Sequence, residues 1–176
     1  ETVRQYAREM LMAQGDGATA RNAHRDHYLA FAEHANAQLN GPHQAFWLSA
    51  LELDIDNLRA ALEWSMETDL ATAVRMAGAM QWLWIMHGHV VEGLDRLEWL
   101  LARADELPPS AALAGIFHSA GNFWFRIDRY ELAQARYEQA LAMREQVGDQ
   151  RGIAGTLGAL GNVAQYEGRY DEAIAL

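Results

Sequence analysis

Three histidines on one predicted helix are the first residues in the sequence that suggest chemistry. His24, His27 and His34 fall within residues 18–39, and imidazole is a common ligand of zinc. His27 and His34 are seven residues apart, which separates them by about 10 Å along a helix axis. Zinc sites carried on a single helix use a four-residue spacing instead. We therefore interpret these histidines as packing or solvated residues and predict no metal site.

Other patterns associated with catalysis are incomplete. FHSAG at 117–121 resembles the nucleophile elbow of hydrolases, but Phe117 stands where that motif needs glycine and no strand precedes it. Lysine and cysteine are absent, which excludes a P-loop lysine, a Schiff-base lysine, a thiolate nucleophile and a cysteine zinc site within this chain. We expect no catalytic residue and no cofactor, and a helical metal-dependent hydrolase is only a remote alternative.

Composition and charge narrow the class of protein. The 176 residues are 51% hydrophobic and 22% charged, which is typical of an ordinary globular protein. No apolar run reaches the ~20 residues of a membrane span, and the start does not resemble a signal peptide, so we predict a cytoplasmic protein without membrane contact. The net charge of −10 argues against direct contact with nucleic acid, whose binding depends on neutralising phosphates.

Apolar residues recur at helical spacing along nearly the whole chain, which predicts an all-α protein. Trp82 and Trp84 would lie on different faces of their helix, and we interpret both as core packing. Because the chain stops inside an amphipathic pattern, we expect it to be a fragment. The predicted helices are residues 1–13, 18–39, 43–67, 69–86, a fifth ending near 106, then 110–126, 129–147, 150–166 and a last one after Gly168.

The C-terminal part contains an internal repeat with an offset of forty residues. The shared pairs include Gly121 with Gly161, Asn122 with Asn162, Arg129 with Arg169, Tyr130 with Tyr170 and Ala133 with Ala173. A glycine inside a helix costs roughly 0.5–1 kcal/mol relative to alanine, so its repetition suggests a close neighbouring helix. We expect the two alanines to allow a similar approach and the two tyrosines to fill the turns. A fixed period of this size indicates stacked structural units.

These segments resemble the tetratricopeptide repeat (TPR) family. HSAGNFWFRIDRYELAQARYEQALAM and GALGNVAQYEGRYDEAIAL carry the resemblance, and MAGAMQWLWIMHGHVVEGLDRLEWLLA is a degenerate earlier copy. The resemblance implies a right-handed α-solenoid of antiparallel helix pairs, a TPR-like superhelix. We predict three segments: N-terminal helices at 1–42, a degenerate TPR-like region at 43–109, and two repeats at 110–176, the last one truncated.

The resemblance also implies where a partner would bind. In TPR proteins the first helices of successive pairs line a concave groove that holds a peptide or a partner helix. Asn122 and Asn162 would face that groove, and an amide both donates and accepts hydrogen bonds. The neighbouring groove residues would be His118, Phe125, Arg126, Gln165 and Tyr166. The expected partner is therefore a protein or a peptide.

The N-terminal half is similar to bacterial STAND-type regulators, which are multidomain signalling ATPases that often control transcription. ETVRQYAREML resembles the end of their winged-helix part, and IDNLRAALEW at 55–64 resembles the start of their helical sensor region. The resemblance implies a nucleotide-binding module upstream of Glu1, so any ATPase activity would lie outside this chain. The chain would then be the sensor segment of a signal-transduction or transcription regulator. The alternative is a free-standing TPR adaptor.

Overall fold

The computed structural model describes residues 17–176, and within that range the chain forms α-helices and no strand. The all-α fold predicted from the spacing of apolar residues is confirmed. The first predicted helix, 1–13, lies outside the described residues. The helices are α1 Gly17–Gln38, α2 Gln44–Leu53, α3 Ile55–Thr68, α4 Leu70–Met86, α5 Val90–Leu101, α6 Ala111–Arg126, α7 Tyr130–Val147, α8 Gln150–Tyr166 and α9 Tyr170–Ala175, with a 3-10 turn at Ala104–Glu106.

The chain divides into two compact units, and the first ends at Ala73. In its described part, α1 packs against α2 and α3 through a core that includes Leu29, Leu51 and Leu58. The three histidines of α1 contact aromatic rings. The ring centre of His24 lies 4.7 Å from that of Tyr28, and the ring centre of His27 lies 4.9 Å from it. The ring centre of His34 lies 4.9 Å from that of Trp47.

The single helix predicted over 43–67 is wrong, because the structure has two helices separated at Asp54. Asp54 has a φ of −103° and a ψ of 15°, outside helical values. Its Oδ1 accepts hydrogen bonds from Asn57 Nδ2 at 2.8 Å and from the Tyr28 hydroxyl at 3.1 Å. Both bonds join side chains, and one of them comes from α1, so a residue outside the two helices helps to fix the break. The apolar spacing alone continues through this position and does not reveal the break.

The second unit, Val74–Leu176, contains the repeated helix pairs, in which α6 packs against α7 and α8 against α9. Its turns recur with the predicted period: Gly88, Asp128 and Gly168 all have left-handed backbone, with φ of 81°, 59° and 77°. Ser110 caps the start of α6, since its side chain accepts from the Leu113 amide. Gly148 ends α7 with a φ of 73°.

The fifth helix ends at Leu101 rather than near 106, so that prediction is also wrong. Arg103 supplies the physical reason: its Nη1 donates to the carbonyl of Trp99 at 3.3 Å, and its guanidinium lies 3.8 Å from the centre of the Trp99 ring. A carbonyl in the last turn is thereby satisfied by a side chain rather than by further helix.

Gly121 is the point of closest approach inside the first repeat. A Cβ placed there would lie 2.5 Å from Cε1 of Tyr137, a ring carried by α7. At Gly161 the nearest atom, the carbonyl oxygen of Ala173, would be 3.6 Å away, which is an ordinary contact.

The tyrosines and alanines of the repeat differ in the same way. Tyr130 is half-buried and its ring lies 5.4 Å from that of Phe125, whereas Tyr170 is 65% exposed. Ala133 is fully buried and Ala173 is half-buried.

A candidate ligand cleft between α4, α6 and α7

A cleft of about 610 Å³ opens in the second unit. The helix α6 lines most of it, because residues 115, 118, 119, 122, 125 and 126 recur at the spacing that places them on one helix face. Four of these are sequence-predicted groove residues: His118, Asn122, Phe125 and Arg126. The full lining consists of Gln81, Trp82, Ile85, Gly115, His118, Ser119, Asn122, Phe125, Arg126 and Arg144.

The cleft combines apolar side chains with two positive charges. Trp82, Ile85 and Phe125 supply aromatic and aliphatic surface, while Arg126 and Arg144 supply guanidinium groups. None of the ten described residues that line it is a carboxylate. The net charge of the whole chain is −10, whereas the side chains that line the cleft carry a net positive charge.

Arg144 is buried, with 9% of its surface exposed. Its Nη1 donates to the carbonyl of Gly152 at 2.5 Å and also to the hydroxyl of Thr156. Its Nε lies 3.7 Å from Asp149 Oδ2 and has no hydrogen-bond partner. Burial lowers the pKa of Arg144, and the Asp149 carboxylate opposes that shift. The guanidinium nevertheless stays protonated, as arginine does in proteins.

His118 is neutral at physiological pH. Burial, and secondarily the charge of Arg144, lower the pKa of His118 to about 4. Its Nδ1 lies 3.4 Å from Thr156 Oγ1, and its ring lies 5.2 Å from the ring of Tyr137. Thr156 therefore contacts both the buried arginine and the histidine that line the cleft.

Asn122 is held in place from the other side. The buried Tyr137 hydroxyl donates to Asn122 Oδ1 at 2.8 Å, and burial raises the pKa of that tyrosine. Because its oxygen is engaged within the protein, Asn122 faces the cleft with the donors of its amide group. The Ser119 hydroxyl similarly lies 2.5 Å from Gln81 Oε1 and 2.8 Å from the carbonyl of Gly115.

The remaining predicted groove residues lie away from the cleft. Asn162, Gln165 and Tyr166 are exposed on α8 and do not line it. The ring of Tyr166 instead joins those of Phe125 and Tyr130, at 5.1 and 5.7 Å. Phe125 thus belongs both to this ring cluster and to the cleft.

Sequence reasoning missed two important cleft residues. Trp82 was interpreted as core with Trp84, but only Trp84 is fully buried, while Trp82 is half-buried and lines the cleft. The position of Arg144 in the sequence could have indicated its role. It continues the buried face of α7 formed by Ala133, Tyr137 and Ala140, and a charged residue at a core position seldom occurs without a specific role.

Within residues 17–176, no group of three or more histidine, cysteine or acidic side chains is arranged to hold a metal ion. No helix of that range combines the length and apolar character that crossing a membrane requires.

Comparison with known proteins places the chain among helical-repeat and regulator sequences. It is 34% identical over 174 residues to proteins from Mycobacterium bovis and Mycobacterium tuberculosis that carry the name "Putative HTH-type transcriptional regulator". The match covers 94% of this chain but only 20% of each relative, so the chain spans about a fifth of their length. Residues 112–176 match the tetratricopeptide repeat family model. These residues, from early α6 through α9, are therefore similar to tetratricopeptide repeats and lie in an all-α helical-repeat fold.

Proposed function

We propose that this chain is the binding segment of a larger bacterial transcription regulator of the STAND type, and that it recognises a protein or peptide partner in the cytoplasm. The observation that carries the proposal is the cleft along α6, where four sequence-predicted groove residues converge. The repeat region supports a role in protein–protein interaction, and the printed names of the mycobacterial relatives support a regulatory setting.

The mechanism we propose is recognition rather than catalysis. Binding energy in the cleft would favour one arrangement of the full-length protein over another, because a ligand shifts an equilibrium by its difference in affinity for the two states. Any ATPase activity would belong to a nucleotide-binding module elsewhere in the protein, and contact with DNA to another part of the regulator. The side chains of this segment would select the signal.

Site-specific photo-crosslinking in the full-length protein tests this proposal. A photoreactive phenylalanine analogue replaces Trp82, which lines the cleft, or Tyr170, which is 65% exposed and lies outside it. We expect a defined protein adduct from position 82 and none from position 170, together with altered transcription in cells that carry Trp82→Ala. Adducts from position 170 alone, with unchanged transcription, would place recognition elsewhere.

A further inference from the structure

The cleft has the volume and the mixed apolar and polar lining of a small-molecule site. Its volume of about 610 Å³ lies within the ~300–1,000 Å³ of typical ligand pockets. Trp82, Ile85 and Phe125 provide apolar walls, and a small number of polar groups converge between them. Such a lining favours a compact ligand with an aromatic or aliphatic body.

The two arginines and the two amide nitrogens of the cleft are hydrogen-bond donors. Arginine only donates, and both arginines of the lining carry a positive charge. The amide oxygens of Asn122 and Gln81 face hydroxyl groups of the protein, Tyr137 for the first and Ser119 for the second. The amide nitrogens therefore remain to meet a ligand. A site that offers donors and positive charge suits an anionic acceptor.

Arg144 provides the second, independent indication of an anion. Its side chain is 11% exposed and lines the cleft, and its Nε, which is enclosed beside Asp149, has no hydrogen-bond partner. Asp149, 3.7 Å away, is its acidic neighbour but does not itself line the cleft. A guanidinium withdrawn from water binds a carboxylate more strongly than an exposed one, since the local dielectric constant is lower.

We propose that the cleft binds a small organic carboxylate with an aromatic body, the carboxylate on Arg144 and Arg126 and the ring against Trp82 and Phe125. This inference rests on the proposed function only in that the cleft belongs to the recognition segment of the regulator, and it gives the cleft a small-molecule occupant in place of a protein or peptide. It names the signal as a free aromatic acid. A peptide that ends in a carboxylate is the competing outcome of the test.

Calorimetric titration of the full-length protein tests the inference with four probes. Phenylacetate and indole-3-acetate carry the proposed chemistry, phenylacetamide is the neutral match of the first, and a pentapeptide ending in phenylalanine offers the same carboxylate on a chain. We expect the two acids to bind with a Kd below about 10 mM and the amide to bind at least about tenfold more weakly, because it lacks the charge.

Matched variants assign the binding to the arginines. Arg126→Gln lies on the exposed rim, so it leaves the fold intact, and it should weaken phenylacetate binding about tenfold. Arg144→Gln should do the same or more where it folds. The control is Arg151→Gln, an exposed arginine of α8 outside the cleft, which should leave the affinity unchanged.

Three results would overturn the inference: no binding of either acid, equal binding of acid and amide, or unchanged affinity in Arg126→Gln. If the pentapeptide binds tenfold more tightly than phenylacetate, the ligand of the cleft is the C-terminus of a peptide rather than a free acid. The crosslinking experiment separates the two proposals. If position 82 gives an adduct and neither acid binds, only the proposal of partner recognition survives. If an acid binds and no adduct forms, only the proposal of a small-molecule site survives.

Discussion

Adding one methyl group at Gly121 should destabilise the protein, although the same change in a helix normally stabilises it. Gly→Ala in a helix interior gains roughly 0.5–1 kcal/mol. At Gly121 the new Cβ would lie 2.5 Å from Cε1 and 2.6 Å from Cδ1 of Tyr137, whereas carbon atoms in contact prefer about 3.5–4.0 Å. The ring must therefore move by about 1 Å.

The ring of Tyr137 has little room to move. It is 2% exposed, its hydroxyl bonds Asn122, and His118 lies against it. Overpacking a core in this way costs typically 1–3 kcal/mol. After subtracting the helix gain, we expect Gly121→Ala to lose up to about 2.5 kcal/mol of unfolding free energy and up to a few degrees of Tm. Gly121→Leu should lose several kcal/mol.

Gly161→Ala is the matched control, because it holds the equivalent position of the second repeat. Its nearest neighbours would be 3.6 and 3.9 Å away, so we expect a gain of roughly 0.5–1 kcal/mol. Urea unfolding followed by circular dichroism at 222 nm compares the two variants. If Gly121→Ala proves as stable as Gly161→Ala, the close approach of Tyr137 is not a real constraint and the reasoning fails.

Three further predictions concern single contacts of the second unit. The pKa of His118 falls from 6.5 to about 4 on folding, so the unfolded chain takes up the proton first as the pH falls. The free energy of unfolding should therefore drop by up to about 3 kcal/mol between pH 6.5 and pH 4. In urea titrations, His118→Gln should make this dependence on pH weaker. Asp128→Ala should be about 1 kcal/mol less stable than Asp128→Gly in thermal melts, because the residue has left-handed backbone. Asn122→Ala strands the buried Tyr137 hydroxyl and should cost about 1–3 kcal/mol, whereas the exposed Asn162→Ala should change the Tm by less than about 2 °C.

The sequence predicted those features that depend on local chemistry and on the repeat. The turns at Gly88, Asp128 and Gly168 recur at the forty-residue offset of the repeat. The break at Asp54 was missed because it depends on a bond from Tyr28, twenty-six residues away. Contacts of that range are not visible in the spacing of apolar residues.

The candidate site was only half predicted, and the reason lies in how the repeat is used. Positions that the two copies share, such as Gly121 and Ala133, maintain close packing between helices. Asn122 is shared with Asn162, but other cleft positions on α6 differ between the copies: His118 corresponds to Gly158, and Arg126 corresponds to Tyr166. A comparison of the two copies therefore identifies the residues that build the fold, but it does not identify the residues that would select a ligand.

Arg144 illustrates the same separation of architecture from recognition. It lies on the buried face of α7, at a position where an apolar residue would satisfy the packing. A hydrophobic side chain there would bury no charge and would require neither Thr156 nor the Gly152 carbonyl as partner. Replacing buried ionic groups with apolar ones is often neutral or stabilising, so stability alone gives no reason for an arginine here. Its contact with the cleft gives one, and the titration of Arg126→Gln and Arg144→Gln with phenylacetate decides whether that reason is anion binding.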